Sequence, residues 1–187
     1  MADRAEQIVS AALEILERDG AEAMSMRAIA DRVGIRAPSL YKHFPDKAAV
    51  ETALIVAGMA ETADHLEAAE AAEPGLLHLA RAYRAHALSH PHMYRLTAAQ
   101  PLPRHALPEG LEERAAAPLF RAVHGDPDIA RATWAFAHGM VMLELDGRFP
   151  PDADLDTAWA VGCTAFESAA KARHHALDDG APDRPAN

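Results

Sequence analysis

No stretch of this 187-residue chain alternates apolar and polar residues with the period of two that a half-buried strand requires. Apolar residues instead recur three and four apart, alanine is abundant, and glycine and proline interrupt the pattern. The chain is therefore expected to be all-α, with about nine helices. Ile8, Ala12, Ile15 and Leu16 line one face of a first helix from about Asp3 to Arg18, stopped at Asp19-Gly20. Ser25 can cap a second helix, in which Met26, Ile29, Ala30 and Val33 share a face and Gly34 ends the run. A short third helix is expected from about Ala37 to His43, with Pro38 in its first turn and Pro45 closing it. Asp46 can cap a long fourth helix to about Ala72. A fifth helix reaches Ser89, and Pro91 opens a sixth. Beyond a proline-rich loop from Gln100 to Gly110, three more helices follow: Glu109 to His124, a stretch ending near Leu145, and Asp154 to Leu177. The last ten residues read as a flexible tail, 178–187.

Several function classes are excluded at this level. One cysteine cannot form an internal disulfide framework or a Cys-rich zinc site. No apolar run approaches the length of a membrane span, so no membrane partner is expected. The polar, charged first residues predict no secretory leader, and hence a cytoplasmic location. The strings GxxxxGK, HExxH, GxSxG and GxGxxG are absent, so no enzyme and no cofactor are expected. His86, His90 and His92 are close in sequence, but Pro91 breaks the helix between the last two, and no metal site is expected. Cys163, alone in an apolar helix, reads as a buried, inert thiol.

A formal net charge of −10 argues against a nucleic-acid partner if it is evenly spread. It is not. Between Met24 and Lys47, Arg27, Arg32, Arg36, Lys42 and Lys47 face only Asp31 and Asp46, a local charge of +3. That basic segment is also the one with a recognisable plan: two short helices joined at Val33-Gly34-Ile35, a helix-turn-helix. Met26, Ile29, Ala30, Val33, Ile35 and Leu40 would pack the pair on the first helix, leaving the outer face of the third helix to solvent. An ordinary αα-hairpin within a bundle would show the same pattern.

The string from Ser25 to Lys47, SMRAIADRVGIRAPSLYKHFPDK, within residues 8–54, resembles the DNA-binding domain of the TetR family of bacterial transcriptional repressors. The resemblance implies an all-helical homodimer with an N-terminal DNA head, 1–47, and a C-terminal ligand-binding and dimerisation domain, 48–177. It implies double-stranded operator DNA as one partner and a small-molecule effector as another. Ser25 would cap the second helix and touch phosphate, and Arg27 would reach the backbone. Arg36, Ala37, Pro38 and Ser39 would lie closest to base edges, and Tyr41, Lys42 and His43 would be exposed DNA-facing residues, with phosphate contacts from Tyr41, His43 and Lys47, although His43 could equally be a bystander on a solvated face. Phe44 would belong to the core. Arg36 replaces the Ser or Thr cap frequent in the family, and its fork could read guanine or hold a phosphate.

In the C-terminal domain, the strings from Tyr83 to Leu96 and from Trp134 to Gly139 resemble a subtype of the same family named for its Trp, His and Gly. Candidate ligand-binding residues are Tyr83, His86, Tyr94, Phe120, Trp134, His138, Met140 and Met142, each of which could equally be plain core. The eighth and ninth helices carry apolar and small residues on more than one face. Ile129, Phe136, Leu143, Leu155, Trp159, Gly162, Phe166 and Ala169 are the candidate dimer interface, in a two-fold four-helix arrangement. The expected function is a ligand-responsive DNA-binding regulator, a repressor released from its operator by an inducer. The alternatives are a helical small-molecule-binding or interaction module without operator binding, and an enzyme.

Overall fold

The computed structural model describes residues 3–99 and 101–179. Among these lie α1 (Arg4–Asp19), α2 (Met26–Val33), α3 (Ala37–Leu40), α4 (Lys47–Ala72), α5 (Leu76–Ser89), α6 (Pro91–Ala99), α7 (Leu111–Ala122), α8 (Pro127–Leu145) and α9 (Leu155–Asp179). A 3-10 turn, Arg104–Ala106, interrupts the proline-rich loop. The helix starts follow local chemistry. Asp3 and Glu6 form a reciprocal capping box on α1. The Ser25 hydroxyl accepts the Ala28 N–H at 3.1 Å on α2. Gly34, at φ +74°, lets the chain leave α2 in the left-handed conformation that a side chain would resist.

Several boundaries differ from expectation, and α7 (Leu111–Ala122) is two residues shorter at each end than expected. The third helix ends at Leu40, and Tyr41, Lys42 and His43 occupy a turn instead of its last residues. The His43 and Phe44 N–H groups both reach back to the Leu40 carbonyl, and Pro45 turns Phe44 away from a helical conformation. At the other end, α9 continues to Asp179, past the expected limit at 177. The rest of the expected tail, 180–187, lies outside the described residues.

The chain divides into two compact units: residues up to Ala63 with Ser89–Glu112, and Asp64–Leu88 with Glu113 onward. The break between these units falls inside α4, where a division at residue 47 was expected, and α6 joins the N-terminal unit. The cause is a shared core. Ile8, Ala12, Ile15 and Leu16 of α1 pack with Met24, Ile29, Ala30 and Leu40, with Val50, Leu54 and Ile55 of α4, and with Met93 and Leu96 of α6. Each of the larger aliphatic side chains buried there contributes about 1.5–3 kcal/mol. The Glu17 carboxylate accepts the Met93 N–H at 3.0 Å, satisfying a donor in the first turn of α6. Gly58 passes so close to Met93 that an added Cβ would lie 3.0 Å from its sulfur.

In the C-terminal unit, Arg114 bonds Asp64 and Glu67, and Arg121 bonds Glu70, tying α7 to the end of α4. The α8–α9 contact is closest at Gly162, where an added Cβ would stand 2.2 Å from Phe136 Cζ. The Phe136 ring meets those of Trp159 and Phe166, each at 5.6 Å between centroids. Asp126 caps α8 by accepting the Asp128 and Ile129 N–H groups, and Arg173 of α9 reaches the same carboxylate at 2.5 Å.

Gly162→Ala gains about 1 kcal/mol of helix propensity but must displace Phe136, which costs about 1–3 kcal/mol. The expected outcome in thermal melts is a lower Tm, with a favourable coupling energy in a double-mutant cycle with Phe136→Leu; a raised Tm would contradict the packing. Asp126→Ala is expected to cost about 1 kcal/mol through the lost cap. The Ile129 amide, then Arg173 and the Asp128 amide, hold the Asp126 carboxyl below its ordinary range. A depressed native pKa gives stability that is present above about pH 4 and fades as pH falls further. Denaturant titrations across pH should therefore show a flatter acid limb for the variant.

Candidate nucleic-acid interface and ligand domain

The outer surface of the helix-turn-helix is built on one anchor. Of the four residues of α3, only Leu40 is buried, and Ala37, Pro38 and Ser39 are exposed beside Arg36, Tyr41, Lys42 and His43. Ile35 and Phe44, half-buried, pack against the head core on either side of the helix. Seven of the expected DNA-contacting residues thus form one exposed strip from Arg36 to His43 around buried Leu40, and Phe44 is half-buried beside it.

The five basic residues of the segment are not equivalent. Arg32 donates to Glu14 of α1, through Nε at 2.8 Å and through Nη2 as well. Arg27, almost fully exposed, stands 3.8 Å from Asp31 one turn on. Lys47 Nζ donates to the Ala21 carbonyl at 2.9 Å and lies 3.4 Å from Glu51, so its ammonium spans the α1–α2 turn and α4. Arg36 and Lys42 have no carboxylate partner among the described residues. The local positive charge is therefore concentrated at the two ends of the exposed strip. The pairing of Arg32 with Glu14 carried no sequence signal, because it depends on how α1 crosses α2.

The expected ligand residues are placed differently from one another. Tyr83, His86, His138 and Met142 are half-buried in the C-terminal unit and Met140 is buried there, whereas Tyr94 belongs to the N-terminal unit. Phe120 and Trp134 stand at the surface of the single chain, 43% and 57% exposed, and Trp134 stacks on His138 at 5.7 Å. The His65 and His86 rings lie 4.5 Å apart. Two hollows stand out, one of about 510 Å³ bounded by Glu6, Ser10, Glu14 and Arg32, and one of about 250 Å³ bounded by Glu70, Leu79, Pro118 and Arg121. Neither is lined by the eight expected residues.

The expected dimer residues also separate. Trp159, expected at the interface, is buried within the single chain, 2% exposed. Gly162 and Phe136 serve contact between α8 and α9 of one chain, and Ile129, Leu155, Phe166 and Ala169 are half-buried. Leu143 is exposed as expected, and Val161 of α9, not foreseen, is more so. An apolar helix such as α8 offers no polar side by which to orient it from sequence.

Sequence reasoning also passed over a polar cluster in the C-terminal unit. Glu144 accepts the Trp159 indole N–H at 2.8 Å on one oxygen, and on the other two Arg84 N–H groups at 2.9 and 2.7 Å. Arg84 also donates to Asp156 at 2.5 Å, and its guanidinium lies 5.9 Å from the Trp159 ring. The available signal was Glu144 itself, the lone charge in the apolar run from Ala132 to Leu145. Nearby, burial pushes the Cys163 thiol up to about 11, as an inert core cysteine requires. Glu144→Ala leaves Arg84 and the indole N–H without their carboxylate, and a loss of about 3 kcal/mol is expected in urea unfolding. A change within ±0.5 kcal/mol would contradict the cluster's structural role.

Comparison with known proteins identifies both halves of the chain. Residues 8–54 match the family described as bacterial regulatory proteins, tetR family, and residues 76–166 match the tetracyclin repressor-like C-terminal domain. An HTH-type transcriptional regulator of Saccharopolyspora erythraea is 32% identical over 168 residues, 87% of this chain and 70% of that protein. An HTH-type transcriptional regulator of Mycobacterium tuberculosis is 28% identical over 166 residues, 81% and 73% of the two chains. Among solved structures, the multidrug binding protein EbrR complexed with imidazole shares the fold at a TM-score of 0.67 and 19% identity, over 89% of this chain and 96% of its own. With its helix-turn-helix head and all-helical second unit, the chain belongs to the tetR family of bacterial transcriptional regulators.

Proposed function

We propose that this regulator is a repressor that binds operator DNA as a homodimer and is released by a small-molecule effector in the cytoplasm. The observation that carries the reading is the exposed strip Arg36–His43, held by buried Leu40 and bearing the two basic side chains, Arg36 and Lys42, that no carboxylate neutralises among the described residues. Ser25 and Arg27 stand at the start of α2 and Lys47 at the start of α4, and Lys47 would exchange its contact with Glu51 for a phosphate. Two heads would engage adjacent major-groove turns about 34–36 Å apart.

The proposed interface uses exposed apolar residues of α8 and α9, among them Leu143 and Val161. The effector is proposed to be a small apolar or aromatic molecule, met by Tyr83, His86, His138 and Met142, as the likeness to a multidrug binding protein suggests. Helix α4 runs from the head into the C-terminal unit. An effector that favours one position of α4 would change the spacing of the heads and lower DNA affinity by its differential affinity for the two states.

The test is a gel-shift and footprinting titration of the whole chain on the DNA upstream of its own coding region. Retardation with two protected stretches one helical turn apart is expected, and no retardation at low salt would contradict the reading. Lys42→Ala removes one proposed phosphate contact per head. It should weaken binding to all sequences and reduce the slope of log K against log salt by about 2 per dimer. An unchanged slope would remove Lys42 from the interface.

A further inference from the structure

The basic side chains of the head divide into those already committed and those left over. Arg27 faces Asp31, Arg32 is held by Glu14, and Lys47 is bound to the Ala21 carbonyl and Glu51. Arg36 is exposed and has no such partner among the described residues. It occupies the N-cap of α3 in an extended conformation, φ −77° and ψ 144°, and makes no side-chain cap bond. A Ser, Thr, Asp or Asn at that place would close the first turn with its own oxygen. Arg36 gives up that bond and keeps its guanidinium in solvent.

Its surroundings favour close approach to a base edge. Ala37, Pro38 and Ser39 are small and exposed, so they put little bulk between the backbone and a groove floor. No carboxylate occurs between Asp31 and Asp46, so nothing on this stretch can accept a hydrogen bond from the amino group of cytosine. The hydroxyls of Ser39 and Tyr41 each offer a single donor, and Lys42 is a point charge that lies beyond the end of α3. Arg36 alone of this strip carries a planar fork of parallel N–H donors, which matches the paired O6 and N7 acceptors of guanine in the major groove.

Building on the DNA-binding reading above, we propose that Arg36 is a specificity-determining residue that reads a guanine in each operator half-site through O6 and N7. A G·C pair at that position is then required for tight binding.

The experiment is selection from a randomised duplex library with the whole chain as wild type, R36A and R36K, followed by direct titrations. The wild type should enrich a two-fold symmetric motif with a guanine in each half, and should prefer it about 10–100-fold over the duplex with the guanine of one half changed to adenine. R36A should keep the other positions and discriminate less than about threefold at the guanine, and R36K, whose ammonium can still donate to O6 or N7, should discriminate less than the wild type. R36K, which keeps the charge and loses the fork, should retain the wild-type salt slope. Far-UV circular dichroism melts matching the wild type would show that both variants are folded. The inference is overturned if the full wild-type guanine preference survives in either variant. It is also overturned if R36A loses affinity for every duplex by the same factor with a smaller salt slope, the behaviour of a phosphate contact. If R36A binds too weakly to select, the R36K motif decides. A wild type that selects no motif overturns the DNA-binding reading and this inference together, whereas a wild-type motif that R36A leaves intact overturns the inference alone.

Discussion

A helix of four residues cannot hold itself together in water, because one turn costs more backbone entropy than its hydrogen bonds return. Helix α3 exists because Leu40 is buried in the head core, flanked by half-buried Ile35 and Phe44. That core draws on α1, α2, the first half of α4 and α6. The exposed strip from Arg36 to His43 is therefore placed by side chains far from it in sequence, and its polar residues are free to be chosen for what they contact. The same logic explains why the compact N-terminal unit is larger than a three-helix head, since Val50, Leu54, Met93 and Leu96 complete the apolar surround of α1 and α2.

Charge follows a similar division of labour. Arg32 and Lys47 bind within the head, and Arg27 stands beside an aspartate. The chain as a whole is acidic, with a net charge of −10. An acidic body discourages non-specific contact with DNA and leaves attraction to a small basic strip. In the proposed dimer, two such strips act at a fixed spacing, so modest affinity of each head becomes useful affinity of the pair.

Features decided by neighbours in sequence were the most legible. Ser25 as cap and Gly34 as the left-handed turn could each be read from local chemistry, and the string from Ser25 to Lys47 carried the family. Legibility fell where a residue's role depends on which element it meets. Trp134 and Trp159 lie on apolar helices, and nothing local says that the first faces solvent and the second the core. Gly162 was read correctly as a point of close approach, but the approaching group is Phe136 of the same chain. Lys47 looked like a spare cation until the fold set it beside the Ala21 carbonyl. The Arg84–Glu144–Trp159 cluster joins three helices and was foreshadowed only by one glutamate in an apolar run.

The central claim is that the surface anchored by Leu40 is where this regulator meets DNA. Amide chemical-shift mapping of the isotope-labelled whole chain during titration with a duplex bearing its operator tests that claim most directly. The account predicts that the largest shifts fall between Ser25 and Lys47 and peak from Arg36 to His43. Shifts confined to α7–α9, or none in the head at saturating duplex, would contradict it.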